Sequence, residues 1–555
     1  MNFLNAKPMF NAYPDSLNQT LGGLVDVLSK DELKNTFGSF YILPSMFNTD
    51  LDRGFSVINY DLNKELVTEA DLTKLADLNI DLKLDFILNH ASVLSPQFQD
   101  LIKNGDDSAF KDFFINWNEF FNGYGEMTEA GYIQPKHEYI KDMFFRKPGL
   151  PILMVKMPDG SKKPYWNTFY QKVMYKKIDA HDLIALFDIQ YSSAKTLAEN
   201  LLAQLDKGVK LESLELGKYE QYRGEITSLL ESECKYLGQM DLNIKSPLVW
   251  NFYEDTLQKL AKYGSKIVRL DAFAYASKEI GKKNFLNDPE TWEILSKVDE
   301  LATKYELNIL PEIHATYEEK IYETLSQKGY MTYDFFLPGL MIDAIENNSV
   351  DHLIDWANEI VEKDIKVVNM LGCHDGIPLL DLKGIIKESQ IEALIDLVVS
   401  RGGYVKNLHG QKNMYYQVNA TYYSALGEDD QKMLLARAIQ MFMPGKPQVW
   451  YLDLFAGVND HEGVRLAGVD GHKEINRTNL TMEQIETQLT KAVVKQQIEL
   501  IKFRNECEAF GFDATFTSEK TAEGMILSWS NNNKKASLAV NINDYNFEIT
   551  VSDMM

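Results

Sequence analysis

The stretch Lys266-Ile-Val-Arg-Leu-Asp271 is a short apolar run that ends on a charged pair, Arg269 and Asp271. It suits a strand buried on both faces, with chemistry at its C-terminal end. The same design recurs in Ser39-Phe-Tyr-Ile-Leu-Pro44, Leu82-Lys-Leu-Asp-Phe-Ile-Leu88, Leu307-Asn-Ile-Leu-Pro-Glu312 and Tyr333-Asp-Phe-Phe-Leu337. It recurs again in Lys366-Val-Val-Asn-Met-Leu371 and Pro447-Gln-Val-Trp-Tyr451. Helix-like segments such as Asp255 to Tyr263 lie between the runs, as right-handed βαβ crossovers require. About eight such units predict an α/β fold, a (β/α)8 TIM barrel, although an open doubly wound sheet has the same periodicity.

Two long insertions interrupt the alternation. The predicted barrel therefore comprises residues 1–91, 239–375 and 428–509, with an inserted domain at 92–238 and a second inserted loop domain at 376–427. The first insertion carries an extra helical segment, about 172–238. There, Ser193 is expected to cap a helix with Leu197, Leu201, Leu202 and Leu205 on one face, ending near Gly208. A second helix is expected to carry Tyr222, Ile226, Leu229 and Leu230 and to end near Gly238. In the second insertion, Gly402-Gly403 and His409-Gly410 read as mobile loops. Residues 510–555 change character. Met525 to Ser530 and Ala536 to Ile542 flank a polar turn, and Phe547 to Val551 alternates, so a small C-terminal β domain is predicted.

The chain has 555 residues, 57 of them basic and 81 acidic, for a net charge of −24. That balance excludes nucleic acid and an anionic membrane surface as partners, since both attract basic patches. Its three cysteines, Cys234, Cys373 and Cys507, lie far apart with no CxxC spacing. Neither a disulfide framework nor a metal site is expected, and a reducing cytoplasm suits the chain. The stretch Met1-Asn-Phe-Leu-Asn-Ala-Lys-Pro8 lacks a basic segment followed by an apolar one. No signal peptide or membrane span is predicted.

Chemistry-bearing residues gather where the runs end. Asp85 to His90 reads Asp-Phe-Ile-Leu-Asn-His; Arg269-Leu-Asp271, Glu312-Ile-His314 and His374-Asp375 follow in the same manner. In a barrel these ends converge on one pocket. Two carboxylates there point to glycosyl chemistry, one protonating the leaving oxygen and one attacking or stabilising the oxocarbenium-like centre. Arg269, on the same strand face as Asp271, should lower that carboxyl's pKa. Partial burial of Glu312 should raise its pKa and keep it protonated. Asp85 reads as structural.

This ordered set resembles the four signature regions of the α-amylase superfamily of retaining α-glucoside enzymes, with a fifth region at Gln239-Met-Asp-Leu-Asn243. More narrowly, the chain resembles the sucrose phosphorylase group over nearly its whole length. Its most specific stretches are Arg269-Leu-Asp-Ala-Phe-Ala-Tyr275, Leu310-Pro-Glu-Ile-His314, Tyr416-Gln-Val-Asn-Ala-Thr-Tyr-Tyr-Ser-Ala-Leu-Gly427 and Ile475-Asn-Arg477. The resemblance implies a retaining α-glucoside phosphorylase that needs no cofactor. Asp271 would be the nucleophile, Glu312 the general acid/base and Asp375 the transition-state stabiliser. His90, His374 and Arg269 would hold the glucosyl unit. Asp52 would bind its far end with Arg477 as partner, and Phe55 and Phe169 would wall the subsite. Lys147, Tyr275, His314, Tyr416 and Gln417 would meet phosphate or the acceptor. The implied partners are an α-glucoside and inorganic phosphate, with a homodimer as the assembly common in the family. Retention requires the two carboxyl groups to sit about 5 to 5.5 Å apart.

Three departures fall on the acceptor side. Gly372-Cys373-His374-Asp375 stands where the family carries Asp-Thr-His-Asp. Met414 stands where an aspartate is expected, and Lys147, beside Arg146, where an arginine is expected. Phosphorylases of sucrose 6′-phosphate, glucosylglycerate or glucosylglycerol are therefore alternatives. An α-glucosidase or transglucosidase shares every catalytic residue, and a non-catalytic sugar-binding protein is the rival from another class.

Overall fold

Eight short strands form one parallel ladder. They are β1 (Met9–Ala12), β2 (Ser39–Ile42), β3 (Asp81–Ile87), β4 (Ser265–Asp271), β5 (Asn308–Pro311), β6 (Thr332–Asp334), β7 (Val367–Met370) and β8 (Lys446–Trp450). The order is β5-β4-β3-β2-β1-β8-β7-β6, with every pairing parallel. Sequential neighbours are thus spatial neighbours, as a TIM barrel requires. No ladder joins β5 to β6 among the described residues. Side chains bridge that seam instead: His314, after β5, stacks on Phe335, after β6, with ring centroids 3.9 Å apart. The structure is a computed structural model and describes residues 5–143, 145, 149–207, 209–407, 415–468 and 471–553, without the side chains of 406, 407, 415 and 416.

The apolar runs become strands because both their faces are covered. Val268, Leu270, Leu310, Val368 and Val449 are all fully buried. Each such side chain contributes about 1.5–3 kcal/mol relative to exposure. Seven strands match the runs read from sequence. The eighth, β1, is the four-residue Met9-Phe-Asn-Ala12, paired on both sides by β2 and β8. Leu337, expected to end a strand, begins the helix Leu337–Asn347, with Pro338 in its first turn. The crossover before β4 is a helix over Pro247–Lys262, eight residues longer at its start than the 255–263 segment read from sequence.

In the first insertion, helix Tyr191–Asp206 takes Gln190 as its N-cap. Ser193 therefore lies inside the first turn and is not the cap. Its apolar face carries Ala194, Leu197, Ala198 and Leu201. The second helix spans Arg223–Glu231 and buries Ile226 and Leu230. It stops well short of Gly238, which sits within strand Lys235–Asp241. Pairing of that strand with both Gln171–Met174 and His90–Ser92 takes the segment away from the helix. These helices share an apolar cluster of their own, including Leu183, Leu201 and Leu230. The C-terminal domain is a four-stranded antiparallel sheet, with Thr515–Lys520 added to the three strands read from sequence. Trp529 anchors it by donating to the Phe442 carbonyl at 2.7 Å. No helix among the described residues is long and apolar enough to cross a membrane.

Candidate active site

The strand ends bring the predicted acids together. Alternation along β4 places Arg269 and Asp271 on one face, toward the barrel interior. One guanidinium then meets three carboxylates. Arg269 Nη1 lies 2.6 Å from Asp85 Oδ1 and 2.8 Å from Asp271 Oδ1, and Nη2 lies 2.6 Å from Glu312 Oε1. Asp271 and Glu312 are held by different nitrogens of one guanidinium. Asp85 is fully buried and accepts the Tyr41 hydroxyl on both oxygens, at 3.0 and 2.8 Å. It anchors Arg269 from below. Ala272, directly after Asp271, has φ 52°, so the chain turns sharply at the end of β4.

The glucosyl side is equally built. His374 Nε2 lies 3.1 Å from Asp375 Oδ2, and its ring stacks on Phe55 with centroids 5.0 Å apart. His90 faces the Phe55 carbonyl at 3.0 Å and packs against Phe169 at 5.0 Å. Burial pushes the His90 imidazole down to about 4, so it is neutral at pH 7. Asp52 and Arg53 both adopt left-handed backbone, at φ 50° and 48°. Arg53 is pinned in that conformation by the Arg477 carbonyl at 2.7 Å and by the Tyr13 ring at 4.2 Å. Backbone strain of this kind persists only where surrounding contacts fix it. Arg477, the expected partner of Asp52 at the far end of the glucose, makes no ion pair with it within 4 Å among the described residues, although the Asp52 charge acts on its guanidinium. Its Nη1 lies 3.6 Å from Glu474, its Nη2 lies 4.0 Å from Asp375 Oδ1, and its Nε donates to the His374 carbonyl at 3.0 Å.

Lys473 was not legible in the sequence. It rides on the turn Gly471–Asn476 and places Nζ 2.6 Å from Asp375 Oδ1. Burial works to raise the Asp375 pKa, but His374, Lys473 and Arg477 outweigh it and hold the carboxylate well below its usual range. That direction is the one that the stabiliser role expected of Asp375 requires.

The electrostatic bias on the other pair runs opposite to expectation. Burial lifts Asp271 well above the usual carboxylate range, beyond what Arg269 offsets, and the Glu312 and Asp85 charges add to the lift. Burial also acts on Glu312, but Arg269 and His314 together overcome it and hold that carboxyl near 2. The cause is geometric: the guanidinium reaches Glu312 as well as Asp271, and His314 Nε2 lies 3.6 Å from Glu312 Oε1. The two carboxyls are thus pushed in directions opposite to those expected from the sequence.

On the acceptor side, Tyr275 packs edge-on to Phe169 at 5.2 Å. The side-chain amide of Gln417 lies 3.3 Å from His314 Nε2. Asp381, also not anticipated, meets His314 Nδ1 at 3.0 Å. Lys147, Arg146, His409 and Met414 lie outside the described residues, as does the side chain of Tyr416.

No family model matches the chain. Its relatives are informative. It is 49% identical over 552 residues to the sucrose 6(F)-phosphate phosphorylase of Ilumatobacter coccineus, covering 98% of this chain and 95% of that one. It is 32% identical over 551 residues to the corresponding protein of Thermoanaerobacterium thermosaccharolyticum, covering 98% and 96%. The crystal structure of sucrose 6F-phosphate phosphorylase from Thermoanaerobacter thermosaccharolyticum superposes with a TM-score of 0.80 at 32% identity, covering 99% and 96%. The strand-end acids, the barrel that carries them and these full-length similarities agree: the chain belongs to the sucrose phosphorylase group of the α-amylase superfamily.

Proposed function

We propose that the chain is a retaining α-glucoside phosphorylase that moves glucose from an α-glucoside to inorganic phosphate. The observation that carries this reading is the pairing of Asp271 and Glu312 on one Arg269 fork. In the first step an Asp271 oxygen forms a bond to the anomeric carbon as the bond to the leaving group breaks. Glu312 delivers its proton to the departing oxygen. For that, Glu312 must carry a proton that Arg269 and His314 disfavour. A glycosidic oxygen seated against Glu312 would loosen its contact with Arg269 and raise its proton affinity. In the second step a phosphate oxygen bonds to the anomeric carbon and the Asp271 ester bond breaks. Glu312 takes the phosphate proton, and α-glucose 1-phosphate leaves with net retention. Asp375 would grip the hydroxyls beside the anomeric carbon, in contacts that strengthen as positive charge develops there.

The finer reading is that the leaving group is fructose 6-phosphate. The 49% identical relative carries the name sucrose 6(F)-phosphate phosphorylase, and the departures at Met414 and Lys147 fall on the acceptor loops. The cytoplasm fits, with three unpaired cysteines among the described residues. A homodimer is the expected assembly, read out by sedimentation.

The reverse reaction tests the assignment. α-Glucose 1-phosphate is supplied with fructose, fructose 6-phosphate, glycerate, glycerol or water alone, and both phosphate and free glucose are measured. Phosphate release without matching glucose, fastest with fructose 6-phosphate, is expected. Release that tracks glucose in every tube would mean a hydrolase. Release fastest with another acceptor would keep the phosphorylase and replace its substrate.

A further inference from the structure

His314 is held more tightly than a loop histidine needs to be. Its Nδ1 lies 3.0 Å from Asp381 Oδ2, so Nδ1 carries a proton toward that carboxylate. Its ring stacks on Phe335 at 3.9 Å and 21°, which prevents the ring from swinging. The Nε2 edge faces Glu312 Oε1 at 3.6 Å and the Gln417 amide at 3.3 Å. That amide can present its oxygen to a charged ring by a simple flip. Asp381 sits on the turn Leu380–Leu382, far from His314 in sequence, and is only 6% exposed. A carboxylate buried that deeply is costly without a cation beside it. The arrangement therefore stabilises an imidazolium.

Among the described residues, the charged groups around His314 are Glu312 on its own strand end, Asp381 after β7, and Glu319 beyond Asp381, with Arg269 on the far side of Glu312. Burial works against the His314 charge, but Asp381 and Glu312 overcome it and push the imidazole up to about 9. A cation here matters most after the first step, although before it the same charge helps to hold the Glu312 carboxyl down. Glu312 has then given up its proton, and the site has an anionic wall that repels phosphate but not water. A fixed positive charge on that wall favours phosphate and leaves water unaffected.

We propose that Asp381 is a positioning residue for acceptor choice: by holding His314 through Nδ1 it keeps an imidazolium facing the incoming phosphate, and so directs the glucosyl-enzyme to phosphate over water. The proposal rests on the phosphorylase reading above. Asp381 touches no reacting atom; it acts through His314.

The test is the partition of the glucosyl-enzyme. A donor is turned over at a series of phosphate concentrations, and α-glucose 1-phosphate and free glucose are measured together. In Asp381→Asn the hydrogen bond to Nδ1 can persist but the charge is lost. The ratio of α-glucose 1-phosphate to glucose should fall by about tenfold or more and KM for phosphate should rise. Hydrolysis without phosphate should stay within about threefold. Asp381→Glu, which keeps the charge, should restore much of the ratio. A parallel loss of both products, or an unchanged ratio, would overturn the proposal.

Wild-type protein gives a second reading that needs no variant. Above about pH 8 phosphate is already the dianion, so a further fall in the ratio between pH 8 and 10 is expected as His314 loses its proton. A flat ratio there overturns the proposal too. Wild-type protein that makes no α-glucose 1-phosphate at any pH would instead overturn the phosphorylase reading itself, and the proposal with it.

Discussion

The two halves of the pocket are built differently. The donor half hangs on strand ends: Arg269 and Asp271 close β4, and Glu312 and His374-Asp375 follow β5 and β7. Its histidines, His90 and His374, are both pushed down by burial. The proposed acceptor half, among the described residues, rests on His314 and Gln417, which lie on the segment after β5 and on Tyr415–Asn419. Its histidine is pushed up by two carboxylates. A rigid barrel rim fixes the glucose geometry once, while loops set which molecule receives the glucose. The contrast makes a definite demand. Changes in the donor half should lower every reaction together, and changes in the acceptor half should alter the ratio of products.

The largest effect belongs to the nucleophile. Asp271→Asn should lower both phosphorolysis and hydrolysis by about 10⁴-fold or more, with thermal unfolding little changed. Steady-state rates in the two assays check this. A variant that kept hydrolysis would separate the halves at the wrong place and remove Asp271 as nucleophile.

Lys473→Met comes next and carries the comparison onto a residue that the sequence did not reveal. Losing an ammonium 2.6 Å from Asp375 should lower kcat/KM about 10- to 100-fold. Phosphorolysis and hydrolysis should fall by the same factor, leaving the product ratio unchanged. A change in that ratio would move Lys473 to the acceptor side.

How much of this was readable beforehand follows from where each residue sits. Asp271, Glu312, His374 and Asp375 were legible because apolar runs reveal strands and a barrel collects strand ends. Lys473 and Asp381 were not. Each lies on an irregular turn, and each finds its partner across a long sequence separation, 98 residues for Lys473 and 67 for Asp381. No local period encodes such a meeting. The opposite electrostatic bias on Asp271 and Glu312 also escaped. Seeing it requires the second nitrogen of Arg269 to reach Glu312, which depends on how β4 and β5 pack. Ser193 misled because a serine ahead of an apolar face reads as a cap, whereas the helix starts two residues earlier, at Tyr191.

The pH dependence of stability should divide along the same line. His314 has a folded pKa near 9, against about 6.5 when unfolded. Its contribution is fully present below about pH 6.5 and is lost as pH rises through about 9. The unfolding gap between wild type and His314→Gln should therefore narrow between pH 7 and 10. His90 runs the other way. Its folded pKa is near 4, so its contribution is present above about pH 6.5 and is lost as pH falls toward 4. Denaturant midpoints across pH 4 to 10 read both limbs. Gaps that moved in the same direction for the two histidines would break the contrast.

The smallest expected effect sharpens it most. Gln417 is 7% exposed and its amide borders His314 without touching Asp271 or Asp375 in any recorded hydrogen bond. Gln417→Ala removes one polar neighbour of the imidazolium and leaves the cation in place. Such a bond contributes about 0.5 to 1.5 kcal/mol, which is roughly a two- to tenfold change. The change should appear in KM for phosphate, with hydrolysis in the absence of phosphate unaltered. Because the strand Tyr415–Asn419 also pairs with Tyr404–Asn407 through its backbone, the truncation leaves that ladder intact and isolates the side chain. An equal loss in both reactions would mean that Gln417 supports the glucose pocket, and the boundary between the halves would then run outside the second insertion.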